Sequence, residues 1–355
     1  MNNFRSYSSK IYTFSPNINI LYGDNAVGKT SVLEAIAYLA LCKSFKGSKD
    51  KDLVKRNEEY FFIKGVFCEN DETKTEITAS FKEKEKKIKK NNYIFQKLSD
   101  YIGYFNVVTF EPADLNLIKG SPVERRKFLD VNISQFDSKY MLSIMKYNKI
   151  LKKRNDFLKS IEELSEKNVQ LLEVLDEMLA TEAIEVMKSR EKFVFEINDH
   201  VKKMSNKISK EKEIVSVEYK CADNVENFVK NLRQKRKYDF VCKSTSVGPH
   251  RDDLNIKING TEADLYASQG QTRTAVISIK LGLAEYLRKV NENQIVLLDD
   301  VFSELDYTRQ SELLSLLNEK TQVFITTTTV STIKEDILSK SRVIKVEKET
   351  EAWVI

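Results

Sequence analysis

Two stretches of this 355-residue chain carry residue types suited to holding phosphate. In Gly23-Asp24-Asn25-Ala26-Val27-Gly28-Lys29-Thr30, followed by Ser31, four residues separate the two glycines and Lys-Thr comes directly after the second. Glycines let a backbone wrap closely around phosphates, and free N–H groups with the helix dipole favour negative charge. Lys29 would neutralise β and γ oxygens and the Thr30 hydroxyl would ligate Mg²⁺. A chain of average composition shows this pattern about 0.01 times by chance. Such a loop needs a carboxylate for its metal, and the apolar run Ile295-Val296-Leu297-Leu298 ends in Asp299-Asp300. Asp299 is the expected metal partner, together with Thr30; Asp300 is the expected catalytic base, acting beside Lys29. The second stretch, Ser268-Gln269-Gly270-Gln271, has the serine and glycine of a phosphate cradle but no lysine. Ser268 and Gln271 also fit a capping box, so these residues alone leave both a phosphate contact and an ordinary helix start open.

Stepping outward, INILY (residues 18–22) reads as a strand ended by Gly23, and Val32, Leu33, Ile36, Leu39 and Ala40 recur at helical spacing after Lys29. Residues 60–81 alternate and break at Glu69-Asn70-Asp71, as in a hairpin, and the mixed-charge run 82–90 could be a basic nucleic-acid patch but is read as the solvated tip that such a run more often forms. From about Pro122 to Ser205 the period is helical: Met141, Ile144, Met145, Leu151, Leu158 and Ile161 share one face, and Leu172, Leu175, Met178 and Leu179 begin another. The basic run from Asn231 to Lys237 is either a DNA contact or a solvated helix end. Strand character is expected again near 240–259, at 295–298 and at 322–329, with helices after Gln271 and around Leu313, Leu314, Leu316 and Leu317. This alternation predicts an α/β fold with a largely parallel, doubly wound sheet, interrupted by an all-helical insertion. The expected division is one lobe from 1–120 and 240–355 and a helical lobe from 121–239.

The bulk numbers exclude several classes. Lys+Arg 58 against Asp+Glu 53 gives a net charge of only +5, so any polyanion site must be local. Cys42, Cys68, Cys221 and Cys242 are scattered, and with two histidines they build no zinc site. No uninterrupted apolar run approaches the roughly 20 residues of a membrane span, and the start MNNFRSYSSK has no apolar leader segment, so a soluble intracellular protein is expected. A GTPase would carry Asn-Lys-x-Asp, which does not occur.

The order of SQGQ, an apolar strand ending in Asp-Asp, and Ser303-Glu304-Leu305-Asp306 is that of signature motif, Walker B and D-loop in ABC-type ATPases. With NFRSY (3–7), KSF (43–45), FEPADLNLIKGSPVERRKFLD (110–130), LKKRNDFLK (151–159), SVGPHRDDL (246–254), SQGQTR (268–273), LLDDVFSELD (297–306) and FITTT (324–328), the chain resembles the RecF family of bacterial recombination mediators, related to SMC-type ATPases. The resemblance runs through nearly the whole chain. It implies an ABC/SMC-type P-loop ATPase head with an inserted helical lobe, ATP and Mg²⁺ as cofactors, and an ATP-dependent homodimer. In that dimer Ser268, Gly270 and Gln271 touch the γ-phosphate held by the partner's Lys29, and Asp306 lies across the same interface. It further implies binding of duplex DNA near single-strand gaps or junctions through phosphate contacts. Also implied are RecR and RecO as partners, RecA loading in gap repair and replication restart, DNA-stimulated ATP hydrolysis, and a cytoplasmic, nucleoid-associated setting.

Some features depart from the family pattern. Asp300 is one methylene shorter than the Glu of ABC transporters, which predicts slow turnover. Thr327 or a neighbour stands where transporters have a histidine, and no Q-loop glutamine is evident near Phe110 to Asp114. Relatives usually carry a short strand before NFRSY, so the start at Met1 suggests either a late start or a missing edge strand. His250 and Arg251 are either a nucleotide or DNA sensor or part of a structural turn in which Asp252 pairs with Arg251. An SMC-like or nuclease-associated scaffold is the alternative, but the insert lacks sustained heptads. A transporter ATPase subunit would not hold so long an insert between P-loop and signature.

Overall fold

The computed structural model describes residues 1–69, 73–221, 225–302, 305, 307–317 and 321–348. Along the chain run β1 (Asn2–Phe4), β2 (Tyr7–Ser9), β3 (Ile18–Tyr22), α1 (Lys29–Leu41), β4 (Tyr60–Glu69), β5 (Thr73–Lys82), β6 (Glu85–Lys90), β7 (Tyr93–Ile94) and β8 (Asn106–Phe110). Then follow α2 (Asn116–Lys119), α3 (Pro122–Ile133), α4 (Ser138–Ser160), α5 (Glu166–Ser209), β9 (Val215–Lys220), α6 (Phe228–Cys242), β10 (Asp253–Ile258), β11 (Thr261–Glu262) and α7 (Ala263–Tyr266). The last elements are α8 (Gln269–Val290), β12 (Gln294–Leu298), α9 (Tyr307–Leu316), β13 (Gln322–Thr327), α10 (Glu335–Leu338) and β14 (Ser341–Lys345). Two compact units form, Met1–Asp114 with Leu283–Ile355, and Leu115–Gly282.

The first unit holds a parallel five-stranded sheet in the order β14-β3-β13-β12-β8 and a six-stranded antiparallel sheet in the order β2-β1-β4-β5-β6-β7. A strand covered on both faces reads as a continuous apolar run, and every residue of β12 is buried. Helix α1 packs on strands of both sheets, which is why Val32, Leu33, Ala37, Tyr38 and Leu39 are all buried rather than a single stripe. Register aims the chemistry: Tyr22 pairs with Thr327, so the P-loop leaves the sheet beside it, and Leu298 pairs with Ile325, so Asp299 follows next to Thr326. One expectation changes here. Residues 85–90 form β6, paired with β5, because Ile88 is buried on the inner face while Lys87 and Lys89 face out. Lys86 pairs with Asp50 at 2.9 Å and lies over the Tyr38 ring.

The second unit is largely helical but not all-helical. Val215, Val217 and Tyr219 alternate along β9, which pairs with β10 over its full length, and β11 completes a three-stranded sheet. Because β10 joins β9, residues 240–282 pack with the helical insertion; the compact units divide at 282/283, where the sequence suggested 239/240. Chain 240–259 is strand only from Asp253, α6 running on to Cys242. Asp137 caps α4 and Ser165 caps α5, their side chains accepting from Tyr140 and Asn168 N–H. Leu158, Ile161 and Leu172 form one cluster between the two helices, with Leu179, Ala183 and Met187 continuing the buried face of α5. Met145 and Met178, assigned to buried faces from periodicity, are exposed. The buried stripe of α4 instead runs Tyr140, Ile144, Tyr147, Arg154, Leu158 and so includes a wholly buried cation. Arg154 donates to Asp176 at 2.7 Å and to Asp239 and Thr245 at 2.8 Å. Arg236, from the basic run, donates to Asp176 and Glu173. Through Asp176, which also accepts from Arg154, that residue is tied into the buried charge network.

Candidate functional site

Helix α1 starts on a loop that uses none of its side chains as caps. Gly28, at the N-cap, sits at φ 105° and has no side-chain cap bond; Ala26 is at φ 64° and Gly23 at φ 153°. A Cβ on Gly23 would stand 2.3 Å from the Val346 carbonyl oxygen, and one on Gly28 would stand 2.8 Å from the Tyr7 hydroxyl. Both glycines are therefore demanded by space as well as by conformation. Buried Lys29 donates to the carbonyls of Gly23 at 2.7 Å and Asp24 at 2.8 Å, so one of its three ammonium donors is left over. A cavity of about 450 Å³ opens over the loop, lined among others by Arg5, Asn25, Lys29, Thr30 and Asp300, a size suited to a small-molecule ligand.

The P-loop and the end of β12 meet directly. Thr30 Oγ1 donates to Asp299 Oδ1 at 2.7 Å, and Thr326 Oγ1 lies 3.0 Å from the same oxygen. Asp300 N–H donates to Thr326 Oγ1 at 2.9 Å, holding Asp300 at the left-handed φ of 55°. Lys46 Nζ is 3.1 Å from the other Asp299 oxygen. On α1, buried Glu34 takes a bidentate bond from Arg5 at 2.6 and 2.7 Å, and Arg5 also donates to Ser48 at 2.7 Å. Sequence reasoning gave no role to Thr326, Lys46, Arg5 or Glu34; NFRSY, KSF and FITTT marked their neighbourhoods only. A loop whose two glycines leave no room for a Cβ, a buried lysine and a hydroxyl–carboxylate pair of hard oxygens fit a nucleoside triphosphate with Mg²⁺. Mg²⁺ uses one or two carboxylates plus phosphate oxygens, and Asp299 beside Thr30 offers one such carboxylate.

At the second stretch both halves of the capping box are made. Gln271 N–H donates to Ser268 Oγ at 3.2 Å, and Ser268 N–H donates to Gln271 Oε1 at 3.1 Å. Thr272 N–H closes the first turn onto the Ser268 carbonyl at 2.8 Å. Capping does not use up Ser268: its oxygen accepts from Gln271, while its own O–H can still donate. Ser268 and Gly270 are exposed, and a Cβ on Gly270 would meet nothing within 4 Å. The P-loop belongs to the first compact unit and Ser268 to the second. Ser303, Glu304 and Asp306 lie outside the described residues.

The remaining singled-out residues are satisfied locally. His250 Nε2 bonds the Thr245 carbonyl at 3.0 Å, which makes Nδ1 the acceptor of the Tyr147 hydroxyl at 2.5 Å. Burial pushes its pKa down to about 4; the Thr245 bond opposes this, and Arg251, Arg126 and Arg154 add to it. Asp252 is engaged from several sides. Its carboxylate accepts from the Tyr219 hydroxyl and lies 3.8 Å from Arg190, and its carbonyl accepts from Arg126 at 2.8 Å. These contacts favour the structural-turn alternative for this segment. Thr327 is buried and donates to the Thr329 carbonyl at 2.9 Å. Near the expected Q-loop, Glu111 N–H donates to Asp114 at 2.8 Å. No helix among the described residues is long and apolar enough to cross a membrane.

Comparison with known proteins agrees with this geometry. Residues 1–352 match the family described as the RecF/RecN/SMC N terminal domain. The DNA replication and repair protein RecF of Staphylococcus carnosus is 37% identical over 98% of this chain and 97% of its own length. That of Latilactobacillus sakei is 37% identical over 98% and 95%. A solved structure of the recombination mediator protein RecF with ATP, in the RecFOR pathway, superposes with a TM-score of 0.85 at 36% identity, over 94% of this chain and 91% of that one. An Smc head domain from Pyrococcus furiosus shares the fold, with a TM-score of 0.53 at 17% identity over 98% of this chain and 92% of that one. Identity of 37% over nearly the full length of each relative, with the family match running over residues 1–352, settles the kinship: the chain belongs to the RecF family.

Proposed function

We propose that this protein is an ATP-operated switch of DNA gap repair. The observation that carries the reading is the 2.7 Å hydrogen bond from Thr30 to Asp299, which joins the phosphate loop to the acidic strand end at a cavity that also holds Lys29 and Asp300. The N–H groups from Gly23 to Ser31 cradle the phosphates of ATP, and Lys29 spends its remaining donor on the β and γ oxygens. Thr30 and Asp299 would hold Mg²⁺, which neutralises phosphate charge when bound. Asp300 orients and deprotonates the attacking water. Its short side chain, held at a left-handed φ, places that water less well than a glutamate would, so hydrolysis is slow and acts as a timer.

Ser268, Gly270 and Gln271 serve the ATP of a second copy. An exposed, pre-capped helix start with a spare hydroxyl donor suits a phosphate presented from outside the chain, and it explains why the stretch needs no lysine: the partner copy's Lys29 supplies one. ATP thus closes a homodimer, and hydrolysis reopens it. The dimer holds duplex DNA near single-strand gaps through phosphate contacts that read structure and not sequence, in keeping with a net charge of only +5. The RecFOR pathway named for the solved relative makes RecR and RecO the expected partners, in RecA loading at gaps, with the protein stationed on the nucleoid in the cytoplasm. DNA binding would speed hydrolysis.

Sedimentation of wild type, Lys29→Arg and Ser268→Arg with and without ATP, Mg²⁺ and gapped duplex tests this. Wild type should dimerise on ATP and then retain DNA. Lys29→Arg should do neither, and Ser268→Arg should bind ATP yet stay monomeric. A Ser268→Arg protein that dimerises like wild type would sink the trans arrangement, and a wild type indifferent to DNA in every nucleotide state would sink the repair role.

A further inference from the structure

The segment KGSPVERR (119–126) has no part in the nucleotide chemistry above, yet it converges on the residues just ahead of Ser268. Helix α7 is a single turn, and the carbonyls at the end of so short a helix have no intrahelical partner. Its closing bond runs from Ala267 N–H to the Ala263 carbonyl at 3.2 Å. Lys119, the last residue of α2, puts its ammonium among three carbonyls of this turn: Asp264 at 3.0 Å, Ala267 at 3.2 Å and, shared with that closing bond, Ala263 at 3.3 Å. All three of its donors are thereby used on one turn, in the favourable position for a cation at a helix C-terminus. The Ala267 carbonyl belongs to the peptide that leads straight into Ser268.

The other side of the same frame is held by Arg125. It forks onto Asp253 at 2.6 and 2.9 Å and donates to the Gly120 carbonyl at 2.9 Å. Asp253 begins β10, whose hairpin partner β11 runs directly into α7. The turn after Lys119 is fixed as well, since a Cβ on Gly120 would stand 2.4 Å from the Asn116 carbonyl oxygen. The path Lys119–Gly120–Arg125–Asp253–β10–β11–α7 therefore closes on itself through Lys119.

We propose that Lys119 is a positioning residue for the Ser268 signature, its ammonium fixing α7 so that the capped start of α8 is presented in one orientation to a second copy's ATP. Arg125 is the complementary anchor at the far end of the frame. The proposal rests on the reading that Ser268 acts in trans. It assigns to a conspicuous part of the chain a task that neither phosphate loop explains, and it separates the making of the capping box from its aiming.

The test uses the full-length protein with ATP and Mg²⁺, in sedimentation titrations of Lys119→Met, Lys119→Arg, Ser268→Ala, Ser268→Arg and the Lys119→Met/Ser268→Ala double variant. Lys119→Met should weaken ATP-dependent dimerisation about tenfold, the loss of roughly one charged hydrogen bond. Binding of a fluorescent ATP analogue by the monomer should stay within about twofold of wild type, and melting should remain a single transition within a few degrees of wild type. Lys119→Arg, which keeps a cation at the carbonyls, should recover most of the affinity. Because Lys119 acts through Ser268, the double variant should dimerise no worse than the weaker single variant. Four outcomes overturn the proposal: wild-type dimerisation by Lys119→Met while Ser268→Arg stays monomeric, equal loss of monomer ATP binding or melting temperature in Lys119→Met, no recovery in Lys119→Arg, or additive losses in the double variant. Dimerisation of Ser268→Arg like wild type marks instead the failure of the trans reading, and removes the proposal with it.

Discussion

Two helices of this molecule carry a glycine at or beside their first turn, and they begin in opposite ways. Helix α1 starts from Gly28 with no side-chain cap, on a loop bent through three residues of positive φ and clamped so closely that neither glycine admits a methyl group. Helix α8 starts from Ser268 with both capping bonds made and with open space around Gly270. The first loop leaves its N–H groups for a ligand and depends on its surroundings for shape. The second satisfies itself and keeps one hydroxyl donor in reserve. On the proposed reading, a start that must enclose its own ligand is a strained socket, whereas one that only touches the ligand of a second copy is a finished, self-supporting tip.

The contrast can be broken most forcefully at Gly23. Replacement by Ala sets a Cβ 2.3 Å from the Val346 backbone oxygen at φ 153° and should cost about 3–5 kcal/mol, with loss of ATP binding, read by denaturant melts and nucleotide titration. Next comes the chemistry of the socket: Asp300→Asn should lower hydrolysis about 100-fold while sparing ATP-dependent dimerisation, because Asn tolerates the left-handed backbone that Asp300 adopts. Equal loss of dimerisation would show that Asp300 holds the site together and is not its base. The self-satisfied region carries a pH signature. His250 is depressed to about 4 against an ordinary 6.5, so the stability contributed by keeping it neutral is full above about pH 6.5 and is lost as pH falls from there to about 4. The slope should be at most about 1.4 kcal/mol per pH unit, and it should vanish in His250→Gln melts. The smallest effect on the fold is expected at Gly270→Ala, a gain of up to about 1 kcal/mol in stability from a better helix former, with weakened ATP-dependent dimerisation. If Gly23→Ala and Gly270→Ala destabilised the fold alike, the contrast between socket and tip would be lost.

What could be read from the residues divides along physical lines. The P-loop was legible because its glycine spacing followed by Lys-Thr leaves few other meanings, an apolar strand ending in Asp gained meaning only when paired with that loop, and the capping box at Ser268 and Gln271 was legible because it is local. Thr326 and Lys46 were not, since a hydroxyl on a buried strand and a lysine in a loop acquire roles only when register brings them to Asp299. Periodicity misjudged the core of the second unit for a related reason. Arg154 occupies a buried helical position that hydropathy assigns to solvent, and two aspartates distant in sequence make that burial tolerable. Lysines at 86, 87, 89 and 90 likewise masked the single isoleucine that seats β6, and charged runs on either side hid the alternation of β9.

The strand order of the parallel sheet also sets a timetable for making the protein. β3, which delivers the P-loop, lies between β13 and β14, so both of its neighbours are translated roughly 300 residues after it. At about 5–20 residues per second, the growing chain carries an unpartnered β3 for on the order of 15–60 s, long enough for the helical unit to fold first. The nucleotide socket can thus come into being only when translation is nearly finished. A chain cut short after the P-loop but before β13 would hold every residue of that loop without the strands that flank β3, so on the proposed reading the last stretch of synthesis is itself the first checkpoint on the switch.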